Sequence, residues 1–308
     1  MIHGILNVRK EKGYTSHDVV SRLRGITCQK KIGHTGTLDP DAAGVLPVCL
    51  GRATRLCDMI TDRDKTYETV LLLGRITDTQ DVGGQTLKIS DTSCLRKEGV
   101  CRVIEGFAGE YEQIPPMYSA LKVNGRKLYE LAREGTEVER KARKVRIFEI
   151  EILKLELPRV SMRIKCSKGT YIRTLCHDIG ERLGCGGCME ELTRTRVGRF
   201  SLEESLPLDR IAEKYRDGSL SDVLVPMDRM FVDYPGMTVR DQWESLAKNG
   251  NPLPGEAFYD NSDPRGWKAA LSGADPDYVR IYDEKGRFIA VCRWQKEEYR
   301  IVKMFYVE

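Results

Sequence analysis

The sequence has no apolar run approaching the roughly 18 residues of a membrane-spanning helix. Nor does an apolar leader precede Arg9-Lys10-Glu11-Lys12 near the N-terminus. Membrane insertion and export are therefore not expected, and a cytoplasmic location is. A Walker-type phosphate loop and an HExxH zinc motif are absent too, which removes two common nucleotide and metal chemistries. Cysteine is plentiful at ten residues, but its spacing is irregular and the context reads as cytosolic, so reduced thiols are expected. Cys185-Gly186-Gly187-Cys188 is the one CxxC, and the nearest further ligands are Cys176 and His177, adjacent in a helical stretch. A structural zinc needs four ligands at matched spacing. No metal is expected, and without a thioredoxin-like unit around the pair no redox role is either.

Net charge is small as well, at +4. It is unevenly spread: residues 140–199 hold 15 Lys and Arg against 7 Asp and Glu, a local +8. Such an excess is either an electrostatic footprint for a polyanion or a set of solvated strand and helix faces. With 41% hydrophobic and 31% charged residues over 308 positions, the chain can bury a core and form one large domain and one small one.

Residues Gly33 to Gly51 concentrate four glycines, two prolines and one histidine around the step Asp39-Pro40. Pro40 biases Asp39 toward extended backbone, and the glycines permit tight turns or close approach of a ligand. Asp39 then reads as a carboxylate on a rigid loop before the apolar run Val45–Leu50 enters the core. An Asx-turn of purely structural purpose has the same signature.

The stretch Gly33-His34-Thr35-Gly36-Thr37-Leu38-Asp39-Pro40, with Gly44-Val45-Leu46-Pro47-Val48 and Gly51-Arg52-Ala53-Thr54, resembles the first motif of the TruB family. These are bacterial pseudouridine synthases that modify the T-loop of transfer RNA. Lys65-Thr66-Tyr67 resembles the second motif, and Ser167-Lys168-Gly169-Thr170-Tyr171-Ile172-Arg173-Thr174-Leu175 the third. Gln113–Lys122, Lys127–Arg133 and Leu192–Phe200 are similar to the family too. Departures are small: Ala43 replaces a frequent hydroxyl residue, Arg55 a common lysine, and Gly187-Cys188-Met189 alters the turn before the last strand. The resemblance implies that Asp39 is the catalytic aspartate and that Tyr67 sits against the target base and assists proton removal. It further implies that Tyr171 and Arg173 line the pocket with Arg173 paired to Asp39, that Leu192 packs on the uracil, and that His34 fills the base stack. From the residues alone, a strand tyrosine is half-buried packing, an early helical arginine is surface, and a strand leucine is core. Lys30 and Lys31, just before the loop, could meet a phosphate or simply be solvated.

In chain order, residues 2–8 read as a strand and Ser16 as the cap of a helix with Val19, Val20 and Leu23 on one face. Thr66–Leu73 starts with alternation and ends as a continuous apolar run, so it reads as a central strand. Asp78–Gly84 is a polar, turn-rich loop, followed by a helix over Cys94–Glu105. Pro115-Pro116 requires a loop or a sheet edge. Strands are expected over 143–155 and 160–167, then a helix from an N-cap at Thr170 with the stripe Leu175, Ile179 and Leu183. Tyr234-Pro235-Gly236 marks a boundary. Beyond it come a helix over Val239–Lys248 and strands at Tyr278–Tyr282, Phe288–Trp294 and Tyr299–Phe305, while 255–277 has little pattern. The expected fold is α+β: a pseudouridine synthase domain over 1–232, with a mixed, mainly antiparallel sheet flanked by helices. A small β-barrel-like module resembling a PUA domain follows over 235–308.

Uridine-to-pseudouridine conversion breaks N1–C1′ and rejoins the base through C5, with no redox change or net hydrolysis. No cofactor is expected, and the carboxylate can act at the ribose or at the base. The resemblance implies an isomerase acting on uridine 55 of transfer RNA after base flipping. The T-arm would be the partner, with phosphates met by the 140–199 region. The enzyme is expected to be monomeric, without an obligatory protein partner or guide RNA. Three other classes compete: a guide-RNA-dependent synthase subunit, which should carry terminal extensions; a non-catalytic RNA-binding protein, which would not need Asp39, Tyr67, Tyr171 and Arg173 together; and a carboxylate glycosidase, which needs a second facing acid.

Overall fold

The computed structural model describes residues 1–259 and 277–307. Its centre is a ten-stranded sheet. Across the sheet the main path runs Leu224–Val225, Gly4–Lys10, Ala43–Leu50, Gly187–Val197, Lys65–Leu73, Arg159–Cys166, Arg143–Glu156, Gly109–Gln113. Short strands Ile32–His34 and Phe200–Ser201 attach to Ala43–Leu50 and Gly187–Val197. Every strand pairing in this sheet is antiparallel except one, where Ala43–Leu50 lies parallel to Gly187–Val197 with Ala43 opposite Thr193 and Gly44 opposite Arg194. The Asp39 loop ends at this parallel joint.

Lys65–Leu73 alternates buried and half-buried residues to its end. Val70 and Leu72 are thus only half-buried, and the expected continuous buried run does not occur. The reason is that the second sheet face is open: it carries Arg163 paired to Glu68 (2.9 Å) and Glu151 (2.7 Å). On the first face Tyr67, Leu71 and Leu73 pack with Leu192, Leu175, Ile179, Val100 and Ile104 from the adjoining strand and the helices Ile172–Arg182 and Lys97–Glu105. That helix starts at Lys97, later than the expected Cys94. A second cluster joins Leu6, Val8, Leu46 and Val48 to Val19, Val20 and Leu23 of helix Ser16–Thr27. Thr15, not Ser16, caps that helix, in a capping box with Asp18. Ser16 is buried and serves the Asp39 loop instead.

The C-terminal part is a curled five-stranded sheet in the order Gly236–Thr238, Tyr278–Tyr282, Phe288–Gln295, Glu298–Met304, Leu253–Pro254, consistent with a PUA-like module. The helix here begins at Asp241, a little after the expected Val239. The unpatterned stretch 255–277 lies largely outside the described residues. A third cluster mixes Ile5, Val45, Leu56 and Ile60 with Phe231, Val291 and Phe305, so the two parts share apolar packing.

Gly44 fixes the parallel joint. Its φ is +112°, and a Cβ there would lie 2.2 Å from the Arg194 carbonyl oxygen. Gly44→Ala should cost about 2–4 kcal/mol in urea unfolding, combining backbone strain with a backbone clash. Gly13→Ala, at φ +89° with open space, should cost only about 1 kcal/mol.

Candidate active site

The Asp39 loop is built by hydrogen bonds at its shoulders. Thr35 donates from its backbone N–H and its hydroxyl to the Pro47 carbonyl, each at 3.1 Å. The Leu38 N–H donates to Ser16 Oγ (2.9 Å), whose hydroxyl donates back to the Leu38 carbonyl (3.3 Å). Asp39 to Ala42 then form a turn closed by the Ala42 N–H on the Asp39 carbonyl at 3.1 Å. Behind it, buried Lys10 donates to the Pro40 carbonyl (3.1 Å), and its ammonium is held down to about 8, chiefly by burial.

Arg173, only 6% exposed, faces this loop from the first turn of helix Ile172–Arg182. It meets Asp39 side-on, Nε to Oδ2 at 3.1 Å and Nη2 to Oδ1 at 3.4 Å. The same guanidinium donates to the Thr79 carbonyl (3.1 Å), Asp81 Oδ2 (3.3 Å) and the Tyr118 carbonyl (2.8 Å). The polar loop 78–84 and the loop after Pro115-Pro116 are thereby drawn to one point. Asp81 and Lys10 have no distinguishing local pattern, and Tyr118 was only one position of the family-like stretch Gln113–Lys122. Arg173, which organises Asp81 and Tyr118, was marked by motif resemblance.

The Asp39 side chain keeps 41% exposure. Its pKa is nevertheless raised above the ordinary 3.8, first by burial of the carboxylate among neighbouring atoms. Arg173 and Lys10 oppose this, while Asp81 and Asp41 add to it. Pairing with Arg173 therefore does not produce the low pKa expected of an isolated ion pair.

Tyr67 (8% exposed) and Leu192 (6%) lie on adjacent strands in one apolar cluster with Leu38 and Ala42. Burial raises the Tyr67 phenol, with Arg194 opposing. Tyr171 caps the helix through its backbone, without a side-chain cap, so the expected Thr170 cap is not formed. Thr170 donates instead to the Ser167 carbonyl at 3.0 Å. Buried Gln113 holds Tyr171 by accepting from its N–H (2.8 Å) and donating to its carbonyl (3.0 Å). His34 is half-buried edge-on to His17 at 5.6 Å, and burial with the charges of His17 and Arg194 favours its neutral form. Lys30 and Lys31 stand apart from this group. Both are exposed, and Lys31 is near enough to His3 to help hold that imidazole's pKa down.

The basic stretch 140–199 is not one free patch. Arg159 pairs with Glu190 (2.7 Å), Lys168 with Asp62 (2.8 Å) and Lys154 with Glu156 (2.9 Å), while Arg163 is taken by Glu68 and Glu151. Arg143, Lys144, Arg146, Lys165 and Arg196 remain exposed without an ion pair among the described residues. No group of three or more His, Cys, Asp or Glu that could hold a metal occurs among the described residues. Cys176, Cys185 and Cys188 are buried, and no described helix is long and apolar enough to cross a membrane.

Residues 24–172 match the model of the TruB family pseudouridylate synthase N-terminal domain. Residues 173–232 match that of the tRNA pseudouridylate synthase B C-terminal domain. The chain belongs to the TruB family. Family members are isomerases, and relatives named tRNA pseudouridine synthase B align over nearly the whole length. That of Lachnoclostridium phytofermentans is 49% identical over 99% of this chain and 100% of its own. That of Clostridium tetani is 43% identical over 98% and 99%. Among solved structures, a chain of a Cbf5–Nop10–Gar1 complex superposes with TM-score 0.71 at 27% identity, covering 99% of this chain and 85% of that one. A chain of an H/ACA ribonucleoprotein bound to a substrate RNA containing 2′-deoxyuridine gives TM-score 0.71 at 25% identity, over 99% and 86%. The TruB fold is therefore the setting of the Asp39–Arg173 pair.

The raised pKa of Asp39 has a stability consequence. Between the unfolded carboxyl's pKa and the folded one the native state holds the extra proton, so stability falls as pH rises through that window. Asp39→Asn, which mimics the protonated form, should melt at a higher temperature than the parent near pH 7. The difference should vanish below about pH 4, where both carboxyl forms are protonated. A lower melting temperature for the variant at neutral pH would show that the Arg173 pair dominates.

Proposed function

We propose that this TruB-family isomerase converts uridine 55 in the T-loop of transfer RNA to pseudouridine. In this reading Asp39 is the catalytic carboxylate, and no cofactor, metal, guide RNA or protein partner takes part. The observation that carries it is the side-on pairing of Asp39 with buried Arg173 at 3.1 and 3.4 Å, on a loop whose Leu38 and Ala42 pack with Tyr67 and Leu192. Full-length kinship to proteins named tRNA pseudouridine synthase B supports the substrate class. The solved neighbours come from a Cbf5–Nop10–Gar1 complex and an H/ACA ribonucleoprotein, but at 25–27% identity they are more distant than the 49% relative.

The target base leaves the loop stack, at a cost of a few kcal/mol, and neutral His34 offsets part of this by occupying the vacancy. Tyr67 and Leu192 hold the uracil, and Tyr171 and Arg173 close the pocket around Asp39. Asp39 acts directly on the nucleoside as N1–C1′ breaks. The base turns, C5–C1′ forms, the C5 proton leaves to solvent with help from Tyr67, and N1 gains a proton. Lys30, Lys31 and the unpaired basic residues from Arg143 to Arg196 meet backbone phosphates. Residues 1–232 carry the chemistry, and 235–308 act as an RNA-binding module.

Purified protein should release tritium from C5-labelled uridine in bare transfer RNA, with EDTA making no difference. Asp39→Asn, checked for deamidation, should lower turnover by at least about 10³-fold while T-arm affinity stays within about threefold, since phosphate contacts dominate binding. Release near the parent rate would remove Asp39 from the chemistry. An isolated T-arm stem-loop should compete well against transfer RNA at moderate salt. Equal competition by an unstructured RNA of the same length would contradict loop recognition.

A further inference from the structure

Arg194 is, with Arg280, one of the two largest fully buried side chains among the described residues, at 1% exposure. No carboxylate lies within ion-pair distance of it among those residues. Its guanidinium donates instead to backbone carbonyls: Nε to Val45 at 2.7 Å, Nη2 to Gly36 at 3.2 Å and Nη1 to Thr37 at 3.5 Å. Those carbonyls stand on the two sides of Asp39, so one cation ties both ends of the loop that presents it. On the adjacent strand Arg194 lies opposite Tyr67, close enough for its charge to act on the phenol.

A buried ion without a counter-ion costs several kcal/mol, and an apolar side chain of similar volume often replaces one without loss. Filling space does not account for a guanidinium here. It also pushes the neighbouring Lys10, Lys65 and His34 toward their neutral forms. The other ionisable groups acting on the Tyr67 phenol are Cys166 and Asp39, which leaves Arg194 as its cation.

We propose that Arg194 is a positioning residue for the isomerisation: it fixes the Asp39 loop against Tyr67 and keeps positive charge behind the phenol. This rests on the roles proposed above for Asp39 and Tyr67. The test is single-turnover tritium release from a labelled T-arm stem-loop across a pH series, with parent, Arg194→Met and Arg194→Lys. Arg194→Met should slow the chemical step about 100-fold, the scale of an ångström-sized misplacement, with affinity within about threefold. Its alkaline limb should move to higher pH, because a phenol that loses its neighbouring cation ionises less readily. Arg194→Lys should return the limb to the parent position and recover about tenfold in rate. An unmoved limb, a loss residing wholly in affinity, lysine no better than methionine, or failure of both variants to show a cooperative thermal transition would each overturn the proposal. A parent protein that releases no tritium would instead sink the functional reading, before Arg194 is at issue.

Discussion

The site depends on one guanidinium. Arg173 joins Asp39, Asp81, the Thr79 carbonyl and the Tyr118 carbonyl, drawn from three loops that otherwise have little reason to meet. Without it two carboxylates would face each other across a partly desolvated cleft, and each would disfavour the other's charge. The guanidinium is itself set by apolar packing. Leu175, Cys176 and Ile179, on the same helix, lie fully buried beneath the central strand, which fixes the first turn in height and rotation. The order of causes thus runs from an amphipathic helix to a buried arginine to three loops. Asp39 comes last, and its burial there raises its pKa even though Arg173 opposes the rise.

What could be read from the chain followed locality. The helix stripe, the alternation at Tyr67 and the strands from 143 onward are short-range patterns, and they folded as their spacing implies. Asp39, Tyr67 and Arg173 stood out through motif resemblance rather than through their own chemistry, since a structural role fits Asp39 as well as the functional one and fits Tyr67 and Arg173 better. Asp81 read only as part of a turn-rich loop, because its partner is 92 residues away. Arg194 read only as one position of the family-like stretch Leu192–Phe200, and nothing local indicates that it points inward to carbonyls 149 to 158 residues distant. The two cap assignments failed because other partners claimed the hydroxyls. Ser16 and Thr170 had the right chemistry for an N-cap, but Ser16 is engaged by the distant Leu38 backbone and Thr170 by the local Ser167 carbonyl. Charge counting misled as well: Glu68 and Asp62, which take Arg163 and Lys168, lie outside the 140–199 window, and a count alone does not show that Glu190 inside it is held by Arg159.

The parallel joint between Ala43–Leu50 and Gly187–Val197 ties these elements to the rest of the molecule. One face of Ala43–Leu50 packs Leu46 and Val48 on the first helix, and the other packs Val45 and Cys49 into the cluster shared with Phe231, Val291 and Phe305. A strand buried on both faces has little freedom to slip, since a one-residue shift would exchange every side chain between the two cores. Asp39 is four residues upstream of that strand. The C-terminal sheet therefore bears on the Asp39 loop through shared apolar packing. The two parts of the chain are mechanically coupled: loosening Val291 or Phe305 would be felt at Val45, whose carbonyl is the shortest of the hydrogen bonds holding Arg194.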